Sequence, residues 1–319
     1  MAEYIAEPQA KILADSISPA GHRLTTLQVV MHRYVLAEFN THRAFSRNSA
    51  SSRAIPSRLH RERVATLPAK PSVFPSKQRG MQGGPVVTPE ITRAAQGVWV
   101  RAAQDAVRSA KTLDDLGVHK SVTNRLLEPF LFQTVIVSAT DWDGFWEQRC
   151  SELAQPEIKA AADLMYQAYT ASTPDPLGAD DWHTPLIDDQ DLSAIGALAA
   201  RMYGMSVDQS DVERLTRHVS AARCARVSYL THAGVRDVED DLTLYNRLVH
   251  ASPPHYSPLE HVATPCPTKI DYDPNPARGE NVVLPVAHGH QGNFTGWDQL
   301  RGTLDMTFFP CKMRLKDGT

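Results

Sequence analysis

The chain has 319 residues, of which 42% are hydrophobic and 22% charged, a composition typical of a globular protein that buries a sizeable core. Its net charge of -3 argues against a general electrostatic attraction to nucleic acid or to an anionic membrane, so any anionic ligand must be bound by a local cluster of charge. The four cysteines lie far apart without a Cys-x-x-Cys pair, which argues against a disulfide framework and against a cysteine zinc site.

The first forty residues predict one strand and one short helix. Residues 1–16 lack the basic and apolar regions of a signal peptide, and no stretch approaches eighteen apolar residues, so we expect a cytoplasmic protein with no membrane partner. Residues 24–31 (LTTLQVVM) mix β-branched and apolar side chains and predict a strand. The apolar spacing of the HRYVLAEFN stretch that follows predicts a short buried helix.

Prolines, glycines and serines are dense between Ala54 and Pro89, so we expect a long loop there without a long regular element. Thr88 then caps a predicted helix. The apolar stripe expected on that helix consists of Ile91, Ala94, Ala95, Val98, Ala102 and Ala106. Further helices are predicted at about 118–128, 141–153, 156–171, 192–203, 210–224 and from 239, and strands at 133–139, 226–230 and 259–264.

A polar run from Thr41 to Arg53 follows the first strand and helix. It places arginines, an imidazole and several hydroxyl groups in one turn-rich stretch, and the wider region from 33 to 63 is rich in arginine. Arginine forks, serine hydroxyls and loop N–H groups are the donors that bind phosphate. By composition alone, a solvated loop remains the alternative.

Two other segments carry groups that bind ligands. His255 and His261 flank Glu260, which raises the possibility of a metal site, but no third ligand is evident and the spacing differs from that of zinc proteases. Arg125 and Arg149 each stand on a predicted helix, where a surface or salt-bridged arginine is the common alternative. Neither segment is decisive alone.

Taken together, these segments resemble the flavin-dependent thymidylate synthases. The hallmark of that family is Arg-His-Arg followed after seven residues by serine, with an arginine two residues later. Thr41-His42-Arg43 precede Ser51 by that spacing, and Ser46, Asn48 and Arg53 are in register. Only the first arginine is replaced.

Two more family segments have counterparts. The family has a helix that ends in Arg-Val-Ser, followed later by a histidine and then Thr-Pro-Phe-Glu-His, and residues 221–228 and 255–261 are similar to both. A third family segment has an arginine before a proline and then a catalytic arginine ahead of Ala-Gln-x-Glu-Ile. It resembles Arg125 with Pro129, and Arg149 with residues 154–158.

The order of these segments differs from the family, because the Arg-Val-Ser and Glu-His segment comes last here. The resemblance therefore implies a circularly permuted chain, which is tolerated when the original termini lie close together. The implied fold is α+β, flavin-dependent thymidylate synthase-like, with a central antiparallel or mixed sheet and flanking helices. We expect one catalytic domain over 1–319, with 172–217 as an insertion or connection and 266–319 as a C-terminal extension.

The chain also departs from the family near the expected ligands. Ser49 stands where the family usually has glutamate. Ser138, Thr140 and Gly144 stand where asparagine, arginine and a polar residue commonly touch the flavin. The departures leave the geometry of the cofactor site and the choice of substrate open.

The resemblance implies reductive methylation of dUMP, with methylenetetrahydrofolate as carbon donor and NADPH supplying electrons through FAD. It implies that Arg149 and Ser51 are catalytic, with the Arg149 guanidinium favouring the anionic form of the pyrimidine. The residues implied to bind FAD are His42, Arg43, Asn48, Ser228, His255, Ser257 and Glu260. Those implied to bind the nucleotide are Glu38, Ser49, Ser51, Arg53, Arg125 and Arg149. It further implies a homo-oligomer with shared active sites and no bound metal.

Two other functions stay open at this point. One is a related enzyme that makes another 5-substituted pyrimidine nucleotide, either with a hydroxymethyl product or from dCMP. The other is a non-catalytic nucleotide-binding or RNA-binding protein, although the net negative charge argues against RNA.

Overall fold

The computed structural model describes residues 7–204, 207–231, 234–266, 268–271, 282–285 and 292–303. A five-stranded sheet with the strand order β3-β4-β2-β1-β5 lies at its centre. The strands are β1 (Gln9–Ile17), β2 (Arg23–His32), β3 (Ser46–Ser49), β4 (Phe132–Ala139) and β5 (Asp175–Pro176). Neighbouring strands are antiparallel except for β1 and β5, so the predicted α+β class with a mixed sheet is confirmed.

The main core lies between one face of the sheet and three helices. Leu27, Val29 and Met31 alternate along β2 and are fully buried, as the period of two in a strand requires. They pack with residues of α1 (Leu36–Phe39), α5 (Asp143–Arg149) and α6 (Pro156–Ala171). This packing holds α1 and α5 in place, and with them the stretches of chain next to these two helices.

Two predictions about residues 54–115 are wrong. The proline-rich region contains α2 (Ser57–Thr66), because SRLHRERVAT has no glycine or proline inside it. The next helix, α3 (Pro89–Asp115), begins at its predicted cap, where the Thr88 side chain accepts from the N–H of Ile91. Its buried residues, however, are Ala103 and Ala110, and the predicted stripe is largely exposed because α3 packs on α2 through its other face.

The C-terminal half begins with three helices, α7 (Asp189–Tyr203), α8 (Gln209–Arg226) and α9 (Val238–Val249). The fully buried Arg223 of α8 pairs with Asp191 of α7 and Asp241 of α9. The remaining elements are α4 (Lys120–Thr123), β6 (Ala263–Pro265), β7 (Thr268–Asp271), β8 (Val282–Pro285), β9 (Trp297–Gln299) and α10 (Leu300–Thr303). Most of the predicted extension 266–319 lies outside the described residues.

The observed strands differ from the predicted ones at several places in the chain. Residues 226–230 are not a strand, because Val227–Tyr229 form a 3-10 helix that ends at Leu230 with a positive φ of 57°. Ser257–His261 also form a 3-10 helix, so only the end of the predicted strand 259–264 is extended, as β6. The sequence pattern does not predict β1 or β3, since QAKILADSI of β1 does not keep a regular alternation and SRNS of β3 is entirely polar.

Two buried histidines join the C-terminal half to the sheet. His183 lies between Ser16 of β1 and Thr26 of β2, with its ring nitrogens 2.9 Å and 2.7 Å from their hydroxyl oxygens. His261 places Nδ1 2.8 Å from the hydroxyl oxygen of Ser138 on β4, which in turn lies 2.6 Å from that of Thr26. Burial lowers the pKa of both histidines to about 3, so both are neutral near pH 7.

The two histidines are expected to make the protein less stable as the pH falls below about 6.5. Each binds its proton in the unfolded state near pH 6.5 but in the folded state only near pH 3, so the free energy of unfolding should fall by about 1.4 kcal/mol per pH unit for each between those values. Denaturant unfolding at pH 7.5, 6.0 and 5.0 measures this slope.

The matched variants are His261→Asn, which keeps a hydrogen-bonding atom near the Nδ1 position, and His250→Asn at an exposed histidine. The first should reduce the slope between pH 6 and pH 5 by about 1.4 kcal/mol per unit and the second should leave it unchanged. Equal slopes in all three proteins would show that His261 is not neutral in the folded state.

Candidate active site

The edge strand β3 brings the N-terminal arginine-rich run against the end of α8. Ser51 follows β3, and its N–H donates to the carbonyl of Ser228 at 3.0 Å. The Asn48 amide donates to the Cys224 carbonyl at 3.5 Å. Residues separated by almost 180 positions therefore meet directly, which places the Thr41–Arg53 run beside the Arg-Val-Ser segment, as the resemblance requires.

A cavity of about 580 Å³ opens beside this contact, and we call it the Ser51 cavity. It is bounded by the turn after β3, the end of α8, the face of α9 and the start of the 3-10 helix at 257–261. Its polar lining residues are Asn48, Ser51, Arg53, His119, Ser228, Tyr229, Arg247, His255 and Ser257. Six of the predicted site residues thus share one cavity.

The Ser51 cavity is suited to an anion. None of the described residues that line it carries a carboxylate, whereas two are arginines and two are histidines. Within the described part of the chain, the side chains of Arg53 and Arg247 form no ion pair. Their charge is therefore available to a ligand, unlike that of Arg223, which is fully neutralised by buried aspartates.

His119 adds a donor with a defined orientation. Its Nδ1 accepts the N–H of Ser121 at 3.2 Å, where it caps the first turn of α4. A neutral imidazole with Nδ1 as acceptor carries its proton on Nε2. His119, Tyr229 and Arg247 were not predicted from the sequence, because each lies outside the recognisable segments and enters the cavity only through tertiary packing.

A second, smaller pocket of about 250 Å³ lies by the turn before β3, and we call it the His42 pocket. Its lining includes Thr41, His42 and Arg43 from this turn and Asp141, Gly144 and Gln148 from the α5 region. Arg149 lies beside it, with Nε donating to Nε2 of His42 at 2.9 Å and Nη2 to the Thr41 hydroxyl at 3.2 Å.

His42 is held as a neutral acceptor. Burial lowers its pKa, and the nearby charges of Arg149 and Arg47 lower it further. A neutral His42 can accept the Arg149 N–H and so fixes the direction of that guanidinium. Arg149 and Ser51 do not line the same cavity within one chain, although the sequence predicts both as catalytic.

Four other predicted residues line neither the Ser51 cavity nor the His42 pocket. Arg125 is exposed and pairs with Glu128, and Ser49 lies half-buried in β3 opposite Val135. Glu38 has a buried Oε2 atom with no hydrogen-bond partner among the described residues. Glu260 is a partner of Arg301, which comes from α10.

Two departures from the family have a structural explanation. Ser138 is fully buried and hydrogen-bonded to Thr26 and His261, and the Thr140 hydroxyl accepts the N–H of Thr295 at 2.9 Å. Both side chains therefore bind the C-terminal half of this chain. The third, Gly144, lies on the wall of the His42 pocket.

Across the described ranges, no group of three or more His, Cys, Asp or Glu side chains could hold a metal ion. No described helix is long and apolar enough to cross a membrane.

Comparison with known proteins gives one family and a set of remote structures. The model of the family described as "Thymidylate synthase complementing protein" matches residues 11–175, just over half of the chain. Two crystal structures of the UMP/dUMP methylase PolB from Streptomyces cacaoi, bound with 5-Br dUMP and 5-Br UMP, have a TM-score of 0.43 and 15% identity. Each covers 53% of this chain, and this chain covers 92% and 91% of theirs, respectively. No curated protein sequence matches.

Arg247→Ala is expected to weaken the binding of a nucleoside monophosphate by about tenfold, because a charge-assisted hydrogen bond contributes roughly 1.5–3 kcal/mol. Calorimetric titration with dUMP measures this, and the loss should shrink at high salt. The control is Arg93→Ala, an exposed arginine on α3 that removes the same charge away from the cavity. Equal affinities for the two variants would exclude Arg247 from the binding site.

Proposed function

The chain belongs to the thymidylate synthase complementing protein family, and we propose that it modifies C5 of a pyrimidine nucleotide. The specific reaction proposed is the reductive methylation of dUMP to thymidylate. Methylenetetrahydrofolate is the carbon donor, and NADPH supplies the electrons through FAD. The enzyme is thus a methyltransferase with a flavin cofactor.

One observation carries this proposal. The Thr41–Arg53 run, the end of α8 and the His255–Ser257 segment lie far apart in sequence, and they surround one cavity with cationic and hydroxyl groups. The two latter segments lie outside the matched residues 11–175, so their presence at the cavity is independent of the family match. This convergence supports the permuted arrangement that we propose for the chain.

The lining fits ligands that bear phosphate. Arg53 and Arg247 supply positive charge that no described residue pairs with, and the hydroxyl groups of Ser51, Ser228 and Ser257 supply neutral donors. Both FAD and dUMP present phosphate oxygens and sugar hydroxyls to such groups. We propose that this cavity, together with the segment around Glu260, holds the flavin and the nucleotide.

Bound FAD would supply the two-electron transfer, which protein side chains do not provide. Two of the four cysteines are consistent with a route that needs no protein thiolate. Burial raises the pKa of Cys150 to about 11 and raises that of Cys224 still further, so both thiols are protonated near pH 7.

Arg149 is proposed to act on the pyrimidine. A positive charge at the ring edge stabilises the anionic ring and so makes C5 more nucleophilic. Nε donates to His42 and Nη2 donates to the Glu38 carbonyl and the Thr41 hydroxyl, so among the described residues Nη1 remains for a ligand. His42 is therefore proposed to orient Arg149.

The separation of Arg149 from the Ser51 cavity supports an oligomer. Within one chain Ser51 lines the Ser51 cavity, whereas Arg149 hydrogen-bonds His42 and Thr41 beside the His42 pocket. We propose a homo-oligomer in which Arg149 of one subunit completes the site of another. Crosslinking and light scattering under assay conditions test the assembly.

The reaction is tested with the purified chain, FAD, NADPH, methylenetetrahydrofolate and either dUMP or dCMP, with the product identified by mass. Thymidylate formed from dUMP in an FAD-dependent manner supports the proposal. A hydroxymethyl product, or turnover of dCMP alone, would replace the reaction proposed here with that of a related C5-modifying enzyme. A chain that neither binds FAD nor turns over either nucleotide would refute it.

Arg149→Lys is expected to lower turnover about 100-fold, because lysine keeps the charge but loses the planar fork. Thermal unfolding of this variant should remain close to that of the wild type, since Arg149 is only half-buried. Arg93→Lys, at an exposed position on α3, is the matched control. Unchanged turnover would remove Arg149 from the mechanism, and parallel losses of stability and activity would assign it a structural role.

A further inference from the structure

A short C-terminal segment, Gly292–Arg301, is docked against the elements that carry the proposed site. It lies outside the residues matched by the family model, and we call it the clasp. Its strand β9 pairs with β6, and Trp297 is fully buried, with its indole N–H donating to the His22 carbonyl at 3.1 Å. The clasp is therefore anchored independently of any contact with the site.

Two amides of the clasp connect β3 to the 3-10 helix at 257–261. Asn293 Nδ2 donates to the Ala44 carbonyl at 2.8 Å, and its Oδ1 accepts from the Ser46 hydroxyl at 3.0 Å. The buried Gln299 places Nε2 3.1 Å from the Ser46 hydroxyl and 3.0 Å from the Glu260 carbonyl. One amide thus spans the two segments whose relative position shapes the proposed site.

The clasp also contacts the Glu260 carboxylate directly. Arg301 donates to Glu260 Oε1, while within the described residues Oε2 accepts no hydrogen bond. Arg47 also lies near Glu260: burial lowers the pKa of Arg47, and the negative charge of Glu260 opposes that shift. Positive charge therefore lies on two sides of Glu260, and among the described residues its second oxygen is available as a hydrogen-bond acceptor.

Two glycines allow the clasp to adopt this path. Gly292 and Gly296 have φ values of +62° and +75°, which side-chain-bearing residues rarely adopt. A Cβ atom at Gly292 would collide with the Gln299 side chain, and one at Gly296 would collide with the ring of His22. The Gly-Asn-Phe-Thr-Gly-Trp pattern is thus explained by the geometry of the clasp.

We propose that the clasp is part of the ligand site, with Gln299 as a positioning residue and with Arg301 orienting Glu260 to accept a hydrogen bond from an N–H or hydroxyl donor of a nucleoside-containing ligand. The proposal rests on the function proposed above. It adds three residues that the resemblance does not assign, namely Asn293, Gln299 and Arg301.

The first test uses the full-length chain and the exposed residue Arg301. Arg301→Gln should weaken binding of FAD or dUMP by roughly tenfold. Glu260 would lose its orientation, and with it the ligand would lose a hydrogen bond to a charged group. Arg301→Lys should recover part of the loss. Flavin fluorescence quenching and calorimetry with dUMP measure affinity, and thermal unfolding should change little. Arg93→Gln is the control for charge and position.

The second test removes the amide of Gln299. Gln299→Leu keeps most of the buried volume but loses the hydrogen bonds to Ser46 and Glu260. Hydrogen exchange should rise in peptides that cover 44–49 and 257–262 and stay constant in those that cover β4, and ligand affinity should fall in parallel. A uniform rise across the protein would show a general structural role and overturn the positioning role.

The outcomes separate the two proposals. A wild-type chain that binds neither FAD nor dUMP refutes the proposed function and, with it, the role of the clasp. If the wild type binds a ligand and both Arg301→Gln and Gln299→Leu bind it equally well, the clasp is not part of the site although the proposed function stands.

Discussion

A line of hydrogen bonds runs from His183 through Thr26 and Ser138 to His261, and the arrangement of the two halves of the chain depends on it. Three strands of the sheet present hydroxyl groups on the face away from the main core. An unpaired buried polar atom costs about 1–3 kcal/mol, so this face needs polar partners. The C-terminal half supplies them as neutral imidazoles: both ring nitrogens of His183 contact hydroxyl groups, and His261 contacts one through Nδ1.

This attachment has direct consequences for the site. His261 ends the 3-10 helix that begins at Ser257, so its bond to Ser138 holds that helix next to β3 and β4. The contacts of Ser51 with Ser228 and of Asn48 with Cys224 hold the end of α8 on the same edge. The Ser51 cavity is the space that these attachments leave between the two halves.

Charge is distributed unevenly between buried and open positions. Arg223 and Arg226 share Asp241, and Arg236 pairs with Asp188 and Asp191, so this cluster serves to join α7, α8 and α9. Arg53 and Arg247 have no such partner among the described residues and face a cavity without carboxylates. A chain with a net negative charge thereby presents a cationic cavity, since the overall balance does not determine the local field.

Elements whose patterns are local could be predicted from the sequence. The strands β2 and β4 and the helices α6, α7, α8 and α9 follow from apolar periodicity and caps, and the Thr41–Arg53 run was recognised by residue type and spacing. Tertiary contacts were needed to show that β3 is an edge strand, that α3 packs through Ala103 and Ala110, and that Arg247 and His119 enter the cavity. Tertiary contacts also determine which of the described arginines form ion pairs and which do not. These properties depend on contacts between residues tens to hundreds of positions apart, and the energy of burying or pairing a group is set by those neighbours and not by its local sequence.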